Sequence, residues 1–414
     1  MNVPFDEKPV VLAIFILTYL GLAIGRIPGL RLNRTGIALL GAIGMMIVSR
    51  GSPGQIAASI NWPTILLLFG FFVISAQLRL SGFYDKVAVA ISARLDAPAT
   101  FLAYLIMTTA ALSAFLNNDI IVCVLTPVVA TALLKRDINP VPFLIAMAAA
   151  SNMGAAATLI GNAQNMMIGS VAGLSFARYM AWAIVPVSVG LVGIFAVTRV
   201  NKKQGPPVLL PDDGTPMPIA VPFDTYHCWK GLLILAVVIV LFFTSIPREI
   251  TVLVAAGIHL LSTKFKTEQL LALVDWPILV LFMSLFVVSG AFQTTGYAAQ
   301  IVQWMEHMGF DPARPANEAL LTAGLSVLIN NAPAVMLLVK IVPVSHAANA
   351  YILAVGNSFA GNAIVTASIA NIIVVQEARL QGLSISFLDF AKLGIPITLI
   401  GLAALIAWAS LVGG

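Results

Sequence analysis

The sequence has little charge. Of its 414 residues only 9% are Asp, Glu, Lys or Arg, whereas 60% are hydrophobic and the mean hydropathy is +0.99. A soluble domain carries roughly 25% charged residues, so this composition excludes a soluble globular fold. Apolar runs recur along the whole chain with lengths close to the about 20 residues that a membrane-spanning helix needs. The sequence therefore predicts an all-α polytopic membrane protein in contact with a lipid bilayer.

Cysteine is also scarce, because the chain contains only Cys123 and Cys228. Two isolated cysteines exclude a disulfide framework. The four histidines lack the spacing of metal ligands, and neither a nucleotide-binding loop nor a catalytic triad is present. We therefore predict no metal, no cofactor and no enzymatic activity. The net charge of +5 is explained by basic cytoplasmic loops, so no nucleic-acid partner is predicted.

Two of the apolar segments are interrupted by polar residues. Asn117, Asn118 and Asp119 separate the apolar runs 99–116 and 120–134. Residues 154–165, with the sequence GAAATLIGNAQN, interrupt a later hydrophobic segment. Unsatisfied backbone groups cost several kcal/mol in lipid, so such interruptions are tolerated only where protein encloses a cavity. We interpret them as two walls of one binding site.

The second part of the chain repeats these features in the same order. The matched landmarks are Asn61-Trp62-Pro63 with Asp275-Trp276-Pro277, Asn117-Asn118 with Asn330-Asn331, and 154–165 with 360–371, at offsets of 214, 213 and 206 residues. Similarity at a nearly constant offset is typical of a duplicated fold, and transporters are often built from such repeats. The sequence thus predicts two copies of one unit.

These landmarks define the predicted organisation. We expect two inverted repeats with about 10 transmembrane helices, two re-entrant helical hairpins and two broken helices. The predicted units are a first repeat 1–199 with hairpin 99–134 and broken helix 141–171, a cytoplasmic linker 200–225, and a second repeat 226–414 with hairpin 316–344 and broken helix 347–378. With re-entrant hairpins, 16 lysines and arginines fall on one side and 6 on the other. The positive-inside rule then places both termini outside.

The predicted site residues are mostly amides and hydroxyls. A helical hairpin tip exposes carbonyls of one arm and amides of the next, so it can bind a cation, a neutral oxyacid or an anion. The candidates at the tips are Asn117, Asn118, Asn330 and Asn331, and those in the broken helices are Asn152, Thr158, Asn162, Asn165, Asn362, Thr366, Ser368 and Asn371. The alternatives are that the tip residues cap helices and that the others pack helices together.

Asp119 is the only acid that the pattern places far from both membrane surfaces, and its counterpart in the second repeat is Ala332. A carboxylate at such a depth exchanges protons unless a cation lies beside it. We therefore predict that Asp119 couples transport to protons, the alternative being an acid that caps the helix N-terminus. Cys123, one helical turn further on, is a candidate contact for a thiol-seeking substrate, with simple packing as the alternative.

Hairpin tips, broken helices and their second copies resemble the ion transporter superfamily of citrate and dicarboxylate carriers, arsenite-efflux permeases and certain sodium/proton antiporters. The strings FLNNDIIVCVLTP, TLIGNAQN and INNAPAVMLL are similar to the arsenite permease and related anion permease branch. This resemblance implies a central site built from the residues above. The chain departs from the carboxylate carriers, which have Ser-Asn-Thr at both tips, and from the branch pattern at 161–165 and at Ala367.

The absence of lysine and arginine from the predicted cavity favours a small neutral solute. We therefore expect proton-driven efflux of arsenite or antimonite across the inner membrane by alternating access. The alternatives are a sodium- or proton-coupled permease for sulfate or dicarboxylates, and a sodium/proton antiporter. A channel is disfavoured by the closed polar tips. The resemblance leaves open whether a second copy of the chain or an ATPase subunit is a partner.

Overall fold

The computed structural model describes residues 7–25, 29–92, 97–200, 221–262 and 264–412. The first part comprises α1 (Lys8–Ile24), α2 (Arg34–Ser49), α3 (Pro53–Ser59), α4 (Trp62–Leu80), α5 (Phe83–Ser92), α6 (Pro98–Phe115), α7 (Asn118–Leu134), α8 (Val141–Ala155), α9 (Ala163–Val171) and α10 (Phe176–Val200). The second part comprises α11 (Thr225–Leu241), α12 (Arg248–Leu260), α13 (Thr267–Ala272), α14 (Trp276–Thr294), α15 (Tyr297–His307), α16 (Pro315–Ile329), α17 (Asn331–Leu338), α18 (Ala347–Ala360), a 3-10 turn (Val365–Ala367), α19 (Ile369–Leu380) and α20 (Phe387–Val412).

Five of these helices, α4, α6, α10, α14 and α20, are long and apolar enough to cross a membrane. Six shorter helices, α1, α2, α7, α8, α11 and α16, are also apolar. Large apolar side chains such as Val192 on α10 and Leu399 on α20 are 68% and 61% exposed, as expected of a lipid-facing surface. The all-α polytopic fold is thus confirmed, while the number of helices that cross the bilayer stays a prediction.

The matched Trp-Pro segments form the same local structure. Asn61 caps α4 and Asp275 caps α14, each through a side-chain oxygen that accepts a backbone N–H in the first helical turn. The indole of Trp62 donates to a carbonyl of α3 at 3.1 Å, and that of Trp276 to a carbonyl of α13 at 3.0 Å. Each segment therefore joins a short helix to a long one in the same way.

Helices from the two parts of the chain are interleaved. α2 of the first part packs against α14 of the second. The equivalent helices, α12 of the second part and α4 of the first, pack against each other in the same way. α10 packs against α20, which occupies the same place in the second part. Hairpin arm α6 packs on α8, and α16 packs on α18. Neither part therefore forms its core alone. Most of the predicted linker lies outside the described residues, since 201–220 are not described.

Gly154 lets two helix backbones touch. A Cβ at this position of α8 would lie 2.4 Å from the carbonyl oxygen of Ala110 on α6, so an alanine there would push the two helices apart. We expect Gly154→Ala to lower the free energy of unfolding by about 1–3 kcal/mol. Thermal unfolding in detergent measures this change.

Gly324 supplies the matched control. It lies inside α16, and a Cβ there would meet no atom within 4 Å. Gly324→Ala should therefore stabilise the protein by about 0.5–1 kcal/mol, because alanine is the better helix former. Equal effects of the two substitutions would show that the close approach of α6 and α8 is not needed.

Candidate substrate-binding site

The first tip, residues 117–119, connects α6 to α7. Asn117 is the N-cap of α7, because its Oδ1 accepts from the backbone N–H of Asp119 at 2.9 Å. Asn117 therefore caps the helix, as the capping alternative expects. Asn118 instead reaches across to α8, where its Nδ2 donates to Asn152 Oδ1 at 3.4 Å. The carbonyl of Asn118 accepts from Ser151 Oγ at 3.3 Å, so the tip is held against the first broken helix.

The second tip, residues 330–332, connects α16 to α17. Asn330 has φ of +76° and ψ of 157°, a strained backbone conformation that is otherwise found almost only in glycine. Its Nδ2 donates to the carbonyl of Thr366 at 3.1 Å. This asparagine makes no side-chain cap on α17 and holds the tip to the second broken helix instead. Asn331 follows at the start of α17 and is 5% exposed.

Asparagines satisfy the carbonyls that each helix break exposes. Asn165 donates through Nδ2 to the carbonyl oxygens of Ala155 and Thr158, at 3.1 and 3.0 Å. Asn371 donates to the carbonyls of the two equivalent residues in the second part of the chain, at 2.6 and 3.0 Å. Buried carbonyls without a donor would be costly in a membrane interior, so these amides stabilise the breaks. The same solution occurs in both parts of the chain.

Asn152 on α8 lies where the two broken helices meet. Its Nδ2 donates to Asn362 Oδ1 at 2.9 Å and to Asn371 Oδ1 at 3.0 Å. Its Oδ1 accepts from Ser368 Oγ at 3.0 Å. The side chain is only 2% exposed and makes hydrogen bonds with every polar atom it has. A single residue of the first part therefore holds three residues of the second.

A second hydrogen bond mirrors the one between Ser368 and Asn152. Asn162 donates through Nδ2 to Ser358 Oγ at 3.0 Å. Ser358 corresponds to Asn152 and Ser368 to Asn162 at the offset of 206 residues, so the two bonds exchange equivalent positions. Such a reciprocal pair is what two related units form when they meet around a two-fold axis.

A cavity of about 30 Å³ lies between the tips and the broken helices. It is lined by Asn117, Asn118, Asp119, Asn152, Asn162, Ala163, Gln164, Ile278, Leu281, Phe282, Asn331, Ala332, Ser368 and Ile369. Seven of the predicted site residues are among them. The space suits a small ion or hydroxide, because a single water already needs about 10–15 Å³.

The other predicted residues lie behind this lining. Thr158 donates its hydroxyl to the carbonyl of Ala114, and Asn165 and Asn371 bind the broken ends described above. Asn362 supports Asn152, whereas Asn330 and Thr366 bind one another at the second tip. These side chains shape the cavity without facing it. For them the packing alternative describes the geometry better than direct binding.

Asp119 projects into the cavity from the first turn of α7. In the described part of the chain, no hydrogen bond or ion pair reaches its carboxylate. Asp275, the cap of α14, is close enough to interact with it electrostatically. No lysine or arginine is found among the described residues that line the cavity. Asn117 and not Asp119 is the helix cap, so the carboxylate is available to a solute.

Cys123 does not line the cavity. Its Sγ lies 3.7 Å from Glu377 Oε1, where α7 packs against α19. Sequence reasoning did not identify the apolar wall that Ile278, Leu281 and Phe282 of α14 contribute. In the sequence, only the Trp-Pro start of α14 marked this helix. Apolar side chains look alike in a sequence whether they face lipid, core or cavity. A buried acid, Glu318, was also missed and is 0% exposed.

A family model described as citrate transporter matches residues 11–355. The chain belongs to the citrate transporter family. This family match confirms the predicted resemblance to the ion transporter superfamily. An uncharacterized transporter of Mycobacterium tuberculosis is 29% identical over 95% of this chain and 96% of its own. The inner membrane protein YbiR of Escherichia coli is 27% identical, covering 91% and 93% of the two chains.

The silicon efflux transporter of rice is 32% identical to this citrate transporter family member, over 41% of the chain and 34% of the rice protein. Two solved structures share the fold at 13% identity. They are the YdaH transporter of Alcanivorax borkumensis, with a TM-score of 0.61 over 98% and 97% of the two chains, and MtrF of Neisseria gonorrhoeae, with 0.64 over 98% and 94%. The protein is accordingly a secondary transporter of the membrane, and its family and relatives are transporters and not enzymes.

Proposed function

We propose that this transporter exports a small neutral hydroxide, arsenite or antimonite, in exchange for protons. The observation that carries the proposal is a central cavity lined by amides, a hydroxyl and one acid, without a cation among its described residues. Amides can donate to and accept from an uncharged hydroxide. An anion in the same place would be repelled by the carboxylate of Asp119 at a distance of a few ångströms.

Size favours the same substrate class. A cavity of about 30 Å³ accommodates a small hydroxide far better than a dicarboxylate or citrate. The similarity to the rice silicon efflux transporter over 41% of the chain supports export as the direction of transport. In the conformation described here, the tips enclose the cavity on two sides.

Asp119 can couple the substrate to the proton through its hydrogen-bonding role. An ionised carboxylate only accepts hydrogen bonds, so it binds the O–H groups of a neutral hydroxide. A proton converts it into a donor and removes that attraction. Proton and substrate then compete for one group, which is the requirement for exchange. Sodium bound between Asp119 and the asparagine carbonyls could replace the proton in this role.

The organisation that we propose around this site is the one expected from the sequence. Two inverted repeats, 1–199 and 226–414, each supply a re-entrant hairpin and a broken helix, with the linker 200–225 on the cytoplasmic side. Asn371 repeats the contacts of Asn165, and the hydrogen bond between Ser368 and Asn152 repeats the one between Asn162 and Ser358. Both repetitions support the duplication. We further propose that the protein is a multi-pass protein of the inner membrane with both termini outside.

A sodium- or proton-coupled anion permease is the second candidate. The description of the family as citrate transporter favours it. In this case sodium would neutralise Asp119, and the asparagine oxygens of the tips would complete its ligands. A larger anion would require a conformation in which the two tips move apart. A sodium/proton antiporter would use the same ligands without the anion.

Flux into everted membrane vesicles tests the first proposal. Everted vesicles with an acidic interior should lose their pH gradient when arsenite is added, because each solute that enters drives protons out. Vesicles without the protein provide the control. Sodium-driven uptake of citrate or sulfate into right-side-out vesicles, together with no pH response to arsenite or antimonite, would instead select the anion permease.

A further inference from the structure

Four polar side chains follow one another along α16 and its tip. Glu318, Thr322, Ser326 and Asn330 are 0%, 0%, 0% and 2% exposed. Their spacing of four residues places them on one side of the helix, about 6 Å apart along the axis. α18 packs against α16, and a Cβ on Gly356 of α18 would lie 3.6 Å from Cγ2 of Thr322. We call this row of side chains the α16 polar row.

Several polar atoms in and beside this row have no hydrogen-bond partner among the described residues. Glu318 Oε1, Thr322 Oγ1 and the Nδ2 of Asn357 on α18 are buried and accept or donate no hydrogen bond within the described structure. Ser326 Oγ donates to Asn357 Oδ1 at 2.7 Å, so Asn357 belongs to the same region. Buried polar groups are nearly always paired, and internal water supplies the partner where protein does not. Groups one turn apart lie within reach of one bridging water.

The outer end of the row is close to the protein surface. Glu318 Oε2 accepts from Asn349 Nδ2 at 2.6 Å. The same amide donates to the carbonyl of Ala313 at 2.9 Å, in the partly exposed loop before α16. Asn349 therefore links Glu318 to a loop that is partly exposed. This buried acid has no role in the central cavity described above.

The inner end of the row reaches the central cavity. Asn330 ends the row, and the next residue, Asn331, lines the cavity with an Oδ1 that is also buried without a partner. From Glu318 to Asn330 a helical rise of about 1.5 Å per residue gives roughly 18 Å. That is more than half of the roughly 30 Å hydrocarbon core of a bilayer. The row thus extends from one surface to the middle of the protein.

The first part of the chain lacks the outer end of such a row. The positions equivalent to Thr322 and Ser326 on α6 are Thr109 and Ser113, which are also polar and 0% exposed. The positions equivalent to Glu318 and Asn349, however, are the buried Leu105 and Phe143. Apolar side chains close this side. Of the two equivalent hairpin arms in the described structure, only α16 therefore carries a continuous polar row from a surface to the cavity.

We propose that α16 and α18 enclose a hydrated proton path from the loop at Ala313 to the central cavity, with Glu318 as its outer proton-binding group. The inference rests on the proton coupling proposed above. The path carries a proton along water and side chains and consumes no other reactant. With the predicted orientation its outer end faces the outside of the cell, which is where protons enter during proton-driven export.

The charged side chains around Glu318 come from several elements. Asp311 and Arg314 precede α16 and pair with each other at 3.6 Å. The remaining titratable groups on the elements packed around α16 are Lys8 and Tyr19 of α1, Lys340 after α17, which donates to Gln293 at 2.8 Å, the exposed His346 before α18, Tyr351 of α18, and Asp389 and Lys392 near the start of α20. A pH dependence assigned to Glu318 must therefore disappear when Glu318 itself is replaced.

Thr322→Val tests the path directly. Valine keeps the shape and removes a hydroxyl that has no protein partner, so a merely structural role predicts unchanged or slightly higher stability and unchanged flux. We expect unchanged unfolding but a several-fold slower arsenite-driven loss of the pH gradient in everted vesicles. Glu318→Gln keeps a side-chain oxygen for Asn349. It should slow the same flux by about 100-fold and remove the part of the pH dependence that Glu318 contributes.

Thr109→Val is the matched control, because Thr109 Oγ1 is likewise buried without a partner. It should leave proton flux unchanged. If the wild-type protein does not respond to arsenite, the proposed function and the path are both overturned. If it responds, and Thr322→Val and Glu318→Gln match it, the path alone is overturned. Equal slowing by the two threonine substitutions would refute a path from one surface only. Thr322→Val decides the matter if Glu318→Gln does not fold.

Discussion

Asp119→Asn is expected to abolish proton-coupled transport while the protein remains folded. No described side chain bonds to the Asp119 carboxylate, so an amide of the same shape replaces it without breaking a contact. The helix cap is unaffected, because it involves the backbone N–H of Asp119 and the side chain of Asn117. An amide cannot take up a proton at ordinary pH, and coupling is lost with it.

The measurement is the arsenite-driven loss of a pH gradient in everted vesicles, accompanied by thermal unfolding of the purified protein. We expect flux at the level of empty vesicles, no pH dependence of any residual arsenite movement, and an unfolding temperature near that of the wild type. Asp137→Asn is the matched control. Asp137 is exposed just after α7 and has φ of +56°, which asparagine adopts as readily. Wild-type transport by Asp119→Asn would rule out Asp119 as the coupling residue.

Asn152→Leu is expected to destabilise the whole protein and to remove transport. Leucine has a similar size but leaves the Oδ1 atoms of Asn362 and Asn371 without a donor and the hydroxyl of Ser368 without its acceptor. Each buried polar group left unpaired costs about 1–3 kcal/mol. The sum is a large part of the about 5–15 kcal/mol by which folded domains are usually stable. The contact between the two broken helices would be lost with it.

Thermal unfolding in detergent and binding of arsenite to the purified protein would measure these effects. Asn317→Leu is the control, because the Asn317 amide is only partly buried and donates to one carbonyl, that of Asp311, at 2.9 Å. Its loss should cost about 0.5–1.5 kcal/mol and leave binding intact. If Asn152→Leu destabilised the protein no more than this control, Asn152 would not hold the two parts together.

Much of the fold could be predicted because a bilayer leaves a chain few choices. Backbone groups must be paired inside lipid, so long apolar runs form helices and polar interruptions are conspicuous. The helices begin and end close to the predicted spans: α8 ends at Ala155 and α9 begins at Ala163, inside the predicted break at 154–165. The second tip likewise falls at Asn330. The Trp-Pro pairs predicted the starts of α4 and α14 for a different reason, because proline fits the first turn of a helix.

The role of each polar residue could not be predicted in this way. Asn152 and Asn165 are the same residue type on neighbouring segments, yet one lines the cavity and the other satisfies broken-end carbonyls. An asparagine can do either, and only the position of its neighbours decides which. The apolar wall of α14 was missed because leucine and phenylalanine suit lipid, core and cavity equally.

The sequence by itself determined the membrane setting, the helical class, the two polar tips and the two broken helices, because these follow from local polarity and spacing. Only the tertiary structure decided which side chains meet. Glu318 lies near the start of α16, where the sequence alone predicts a position close to the membrane surface. It is buried because α18 packs against α16 and Asn349 donates a hydrogen bond to it. Burial and pairing of polar groups depend on contacts between distant segments, which no local pattern specifies.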